Sequence, residues 1–171
     1  MKKYNFKKVI FLVLLSCSLC FNPTNAQESG IQNSGAHEKG SHFIGTGIGL
    51  YHSGVGVFGQ YDYGVHKDWS IGTMFGVQGP FGSILALSFR GDFHLGRFVK
   101  LPSSMDWYAG LHAGINFLRL YGHAAVHSGF RYFFHERNVG IQVEGMGGFN
   151  SAGLQVGAVW KLAQKQQRIA K

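Results

Sequence analysis

Trp107-Tyr108-Ala109-Gly110-Leu111-His112-Ala113-Gly114-Ile115-Asn116-Phe117 alternates without a break. Trp107, Ala109, Leu111, Ala113, Ile115 and Phe117 fall on one face, and Tyr108, Gly110, His112, Gly114 and Asn116 on the other. A two-residue period is the signature of a strand. One row is entirely apolar. The other is small and polar, and it contains neither Lys nor Glu.

The same alternation recurs in seven further stretches, beginning at about His42. The apolar rows are Ile44-Ile48-Leu50, Val55-Val57-Tyr61-Tyr63, Trp69-Ile71-Phe75-Val77, Leu85-Leu87-Phe89-Phe93, Val126-Phe130-Tyr132-Phe134, Val139-Ile141-Val143 and Leu154-Val156-Ala158-Trp160-Leu162. The opposite rows are rich in glycine, with a few Asp, Arg, His and Gln. Glycine supplies 26 of the 171 residues, proline only 3, and charged residues 14%. That charge content is well below the roughly 25% of an ordinary soluble domain. The glycine-rich rows carry too little charge for a water-facing exterior, but they suit a narrow polar interior. The apolar rows therefore point outward, into hydrocarbon. Strands in lipid must close so that no backbone group is left unpaired. The expected fold is all-β, an eight-stranded antiparallel up-and-down transmembrane β-barrel over residues 42–162. An interior of that size is just filled by side chains.

Outward aromatic residues fit this placement. Tyr63, Trp69, Phe93, Trp107, Tyr132, Phe134 and Trp160 fall at the end of the barrel that carries both termini. That is the interface girdle expected of such a barrel. A looser set, Tyr51, Phe81, Phe117, Tyr121 and Phe149, marks the opposite rim. The connections at that rim are short, and the longest connection, Arg97 to Asp106, lies at the terminal end.

The N-terminus reads separately. Lys2, Lys3, Lys7 and Lys8 precede an apolar run from Val9 to Phe21, and Asn22-Pro23-Thr24-Asn25-Ala26 follows. This is the anatomy of a secretory signal peptide cleaved after Ala26. Two alternatives are a retained anchor and lipoprotein processing at Cys17. Removing 26 of 171 residues leaves 145, takes out both cysteines and lowers the net charge from +8 to +4. The mature chain then has no disulfide, thiol nucleophile or cysteine metal site. Residues 27–41 read as a flexible polar leader and residues 163–171 as a basic periplasmic tail.

With these features in place, the chain resembles the small outer-membrane barrel family of the OmpA membrane domain, OmpX and the opacity-like proteins. The last strand, Gln155-Val156-Gly157-Ala158-Val159-Trp160-Lys161-Leu162, is similar to the barrel-assembly signal. The resemblance implies that Gln155, Gly157, Trp160 and Leu162 are read by the insertion machinery. Family members usually end on an aromatic residue, whereas here a basic tail follows. The implied partners are outer-membrane lipid and the assembly machinery, and a monomer in the outer membrane is expected; export of the chain argues against nucleic acid as a partner.

The inward charges are Asp62, Arg90, Asp92, Arg131, Glu144 and Lys161. Unpaired charge is costly in a filled interior, so these side chains are expected to pair. His94, His112 and His127 also face inward, but no tight ligand spacing links them, and no metal or cofactor is expected. A lipid A acyl hydrolase would need a nucleophile and a base within hydrogen-bond reach. His127 and Ser128 are adjacent and point to opposite faces, so no catalysis is expected. The expected role is structural or membrane-interacting, with a lumen plugged by polar side chains. The alternatives are a lipid A-modifying barrel enzyme and a soluble periplasmic barrel that binds a ligand inside.

Overall fold

In the computed structural model the chain is a closed antiparallel barrel, β1 to β8 in chain order. The structure describes residues 36–134 and 138–162. The signal segment, the leader up to residue 35 and the basic tail lie outside the described residues.

The strands are β1 (His42–Tyr51), β2 (Gly54–His66), β3 (Trp69–Gln78), β4 (Ile84–His94), β5 (Met105–Asn116), β6 (Tyr121–Phe133), β7 (Val139–Phe149) and β8 (Ser151–Leu162). Each pairs with its sequence neighbour. The barrel closes where β1 meets β8, in a register running from His42 opposite Leu162 to Tyr51 opposite Gly153. Closure removes the two edges that an open sheet would leave.

Side-chain direction follows the alternation. Ile48, Phe89, Leu111, Val126 and Leu154 are exposed, whereas Phe58, Arg90, Tyr108, Arg131 and Gln155 are buried. The exterior is apolar over all eight strands, and the charges are inside. Tyr51 departs from the sequence reading. Its aromatic character puts it on the outer rim, but its ring is buried and its hydroxyl accepts a hydrogen bond from Gln155 Nε2 at 2.8 Å. It ends β1 at an inward position, and parity overrides its aromatic character.

Glycine makes room for these large inward groups. A Cβ on Gly129 would collide with the Tyr108 ring and hydroxyl. Gly129 pairs directly with Tyr108 across β5 and β6, so the ring lies over the bare position.

Residues 36–41 are the end of the segment read as a flexible leader. Here they fold back into the mouth at the terminal end. Ala36 N–H donates to Met105 C=O at 2.9 Å, Gly40 N–H to Gly64 C=O at 2.6 Å, and Gly64 N–H to Ser41 C=O at 2.9 Å. A Cβ on Gly64 would strike Glu38 C=O and the His37 ring, so the segment occupies the space that Gly64 leaves.

Candidate functional site

Among the described residues, the buried interior is where chemistry-bearing side chains converge. At its centre is Arg90 of β4. Its Nε lies 3.0 Å from Asp92 Oδ2 and 3.4 Å from Asp62 Oδ1, and its Nη2 lies 2.8 Å from Glu144 Oε2. Nη1 donates to Gln60 Oε1 at 3.3 Å. Arg131 of β6 pairs with Asp62 and approaches Asp106 Oδ2 at 3.7 Å. Tyr108 lies between the two guanidinium groups, with Arg131 Cζ 4.3 Å and Arg90 Cζ 5.4 Å from its ring centroid. Its hydroxyl donates to Glu144 at 2.8 Å. Four carboxylates from β2, β4, β5 and β7 thus surround two guanidinium groups. Ionised partners in such contact make strong hydrogen bonds.

Five of the six charges singled out in the sequence meet here: Asp62, Arg90, Asp92, Arg131 and Glu144. Lys161 stands apart at the terminal mouth, where its ammonium donates to Ala36 C=O at 2.8 Å. Asp106 belongs to the network although the sequence reading left it at the end of a loop. The signal for it was available: Asp106 continues the inward row of Tyr108, Gly110 and His112.

The inward histidines divide into three settings. His127 Nε2 lies 2.6 Å from Asp92 Oδ1, and its Nδ1 lies 3.3 Å from His112 Nδ1. His112 Nε2 lies 3.2 Å from Ser151 Oγ. His127 Nε2 also lies 2.9 Å from Arg90 Nη2, so this ring nitrogen faces both a carboxylate and a guanidinium. His123, read from sequence as part of a loop, lies inside and meets Ser88 Oγ at 2.7 Å. His94 is held between Ser70 Oγ, 2.9 Å from Nε2, and Asp106 Oδ1, 2.9 Å from Nδ1. Among the described residues no group of three His, Cys, Asp or Glu side chains is arranged to hold a metal ion.

Ser70, His94 and Asp106 have the hydroxyl–imidazole–carboxylate order of a nucleophile relay. Sequence reasoning missed it because the three residues lie on β3, β4 and β5. Their surroundings differ from those of an open site: Ser70, His94 and Asp106 are all buried. The His37 ring stacks on His94 at 3.5 Å between centroids and 5° between planes. His37 is fixed in turn by a 3.0 Å hydrogen bond to His66 C=O.

No protein-family model matches the chain, and no curated protein matches it by sequence. Solved structures do match. A barrel from the de novo design of transmembrane β-barrels superposes with a TM-score of 0.62 at 15% identity, covering 74% of this chain and 99% of the designed one. The N-terminal β-barrel domain of Pseudomonas aeruginosa OprF gives 0.56 at 16% identity, covering 72% and 98%. The solution structure of the designed protein TMB2.3 gives 0.58 at 19% identity, covering 74% and 98%. The fold is that of a small transmembrane β-barrel. At these identities the likeness concerns the fold alone.

His37 couples docking of the 36–41 segment to pH. Burial, reinforced by the neighbouring His94, pushes its imidazole down from 6.5 to about 4. Undocking returns it toward its ordinary value. The undocked segment therefore binds the extra proton as pH falls from about 6.5 to 4, and docking weakens across that window. Amide exchange at Gly40 and Gly64, corrected for intrinsic rates, is expected to speed up about fortyfold between pH 6.5 and 4.5. A His37→Gln variant is expected to lose that pH dependence. Equal dependence in both proteins would remove His37 from this role.

Proposed function

We propose that this chain is an integral outer-membrane barrel with a structural or membrane-interacting role, its interior filled by side chains rather than open as a pore. The observation that carries the reading is the inversion of polarity. Phe89 is 68% exposed, Leu111 64% and Val126 61%, while Asp62, Asp92 and Arg131 are wholly buried. In water such an exterior would be an aggregation surface, because monomers rarely expose large contiguous apolar patches. In a bilayer it is the ordinary lipid face. Export by the N-terminal segment, insertion by the barrel-assembly machinery through Gln155, Gly157, Trp160 and Leu162, and a monomeric state belong to the same reading.

The cross-section supports a plug. Arg90 contacts carboxylates on its own strand, on β2 and on β7, so ion pairs bridge the bore. The full chain reconstituted in a planar bilayer is expected to leave the current at the level of the bare membrane. Stepwise openings would overturn the closed reading.

A second reading, an acyl hydrolase, draws on Ser70, His94 and Asp106. The stacked His37 ring and the burial of Ser70 favour a structural hydrogen-bond ladder instead. A fluorophosphonate probe is expected to leave Ser70 unmodified, and labelling lost in Ser70→Ala would favour the hydrolase.

A further inference from the structure

The outer surface at the terminal rim is chemically lopsided. Trp69 packs on Phe93 at 4.9 Å between ring centroids, and Phe93 on Phe98 at 5.4 Å. This aromatic ladder climbs from the strand exterior onto the 95–104 loop, where Phe98 is 60% exposed and Val99 47%. Around it stand Lys67, Arg97 and Lys100, all exposed. Asp68, buried beside Lys67, ties the β2–β3 turn to the loop through Arg97 Nε at 3.5 Å. Among the described residues Glu38 is the one exposed carboxylate, and it belongs to the segment folded into the mouth.

The loop is rigidly built. Phe98 N–H and Val99 N–H both donate to Leu95 C=O, at 2.9 and 3.1 Å, and Leu101 N–H donates to Gly96 C=O at 2.8 Å. Lys100 lies inside that last closure with φ of +54°. This is the left-handed position that ends a helical turn, normally taken by glycine. A side chain there is strained by its own Cβ. Lys100 is exposed there, at a backbone cost that glycine would avoid, as Leu120 and Asn150 are in their own turns at φ of +51° and +52°.

We propose that Lys67, Arg97 and Lys100, with Phe98 and Val99 between them, form a binding site for the anionic headgroup of a phospholipid. The inference rests on the membrane reading above and adds a lipid preference to it. Continuity with the apolar exterior selects a lipid over a free phosphate. Phe98 and Val99 extend the apolar surface onto the loop, the exposed Lys67 and Lys100 bring unscreened positive charge beside it, and Arg97, held by Asp68, fixes the turn and the loop together. Basic groups near a bilayer surface attract anionic lipid, and salt screens that attraction.

The test uses the full chain carrying Trp107→Phe and Trp160→Phe, so that Trp69 is the sole tryptophan. It is folded into phosphatidylcholine vesicles containing one-fifth phosphatidylglycerol, with either lipid brominated at equal mole fraction. Brominated phosphatidylglycerol is expected to quench Trp69 about twice as strongly as brominated phosphatidylcholine. The ratio is expected to fall to one in high salt and in a Lys67→Gln/Lys100→Gly variant, whose glycine suits the left-handed backbone. A ratio of one in the parent protein at low salt would overturn the proposal, as would an unchanged ratio in the variant. Quenching by neither lipid would instead contradict the membrane reading, so the two failures are distinguishable.

Discussion

Replacing Arg90 with Leu is expected to lower the unfolding free energy by about 3–5 kcal/mol. Arg90 is buried and touches Asp62, Asp92 and Glu144. Leu removes the guanidinium and leaves those carboxylates in a poorly solvated interior. Arg131 still serves Asp62, but it makes no ion pair with Asp92 or Glu144. His127 remains beside Asp92, while Glu144 keeps only the Tyr108 hydroxyl among its direct partners. Breaking one side of a buried ion pair costs more than the pair contributes, because the remaining charge stays buried without compensation. Arg90→Lys retains the charge but not the planar fork that reaches several carboxylates, so a smaller loss is expected. Urea unfolding of the lipid-reconstituted protein checks both variants, with a shifted midpoint at constant slope as the signature. A loss under about 1 kcal/mol for Arg90→Leu would show that the central network contributes little.

The second large effect lies on the outside. Leu111, 64% exposed, is near the middle of β5, between Trp107 near one end and Ile115 near the other. Leu111→Arg is expected to destabilise the barrel by about 2–4 kcal/mol in a bilayer, the cost of a cation near the midplane of a lipid-facing strand. The same change at Tyr63, in the aromatic girdle, is expected to cost about 1 kcal/mol or less. On a water-facing surface both changes would fall within about 0.5 kcal/mol. The contrast between the two positions therefore reports the solvent of the outer face, independently of what fills the interior.

Much of the fold was legible because a strand has a strict period of two. Once Leu111 and Ile115 are placed outside, Tyr108, His112 and Asn116 must be inside, and the structure places them there. The closing partners are less visible. Which inward side chains share a height depends on the stagger between strands, and alternation within one strand does not encode it. Arg90 therefore showed as an inward charge, while its contact with Glu144, 54 residues away, did not. The same holds for Ser70 with His94 and Asp106. Asp106 and His123 were lost at strand ends, where turn chemistry competes with parity. Residues 36–41 read as flexible because they continue the small, polar stretch of Gln32-Asn33-Ser34-Gly35. Their docking depends on Gly64, whose missing side chain is meaningful only once the mouth is closed around it.

Whether the apolar rows meet hydrocarbon can be read from membrane fractionation of cells expressing the full chain, followed by electrophoresis of boiled and unboiled samples. The protein is expected to stay with the outer membrane through an alkaline wash, and its unboiled band to migrate differently from the boiled one. Recovery in the soluble periplasmic fraction, with identical mobility before and after boiling, would rule out contact with hydrocarbon.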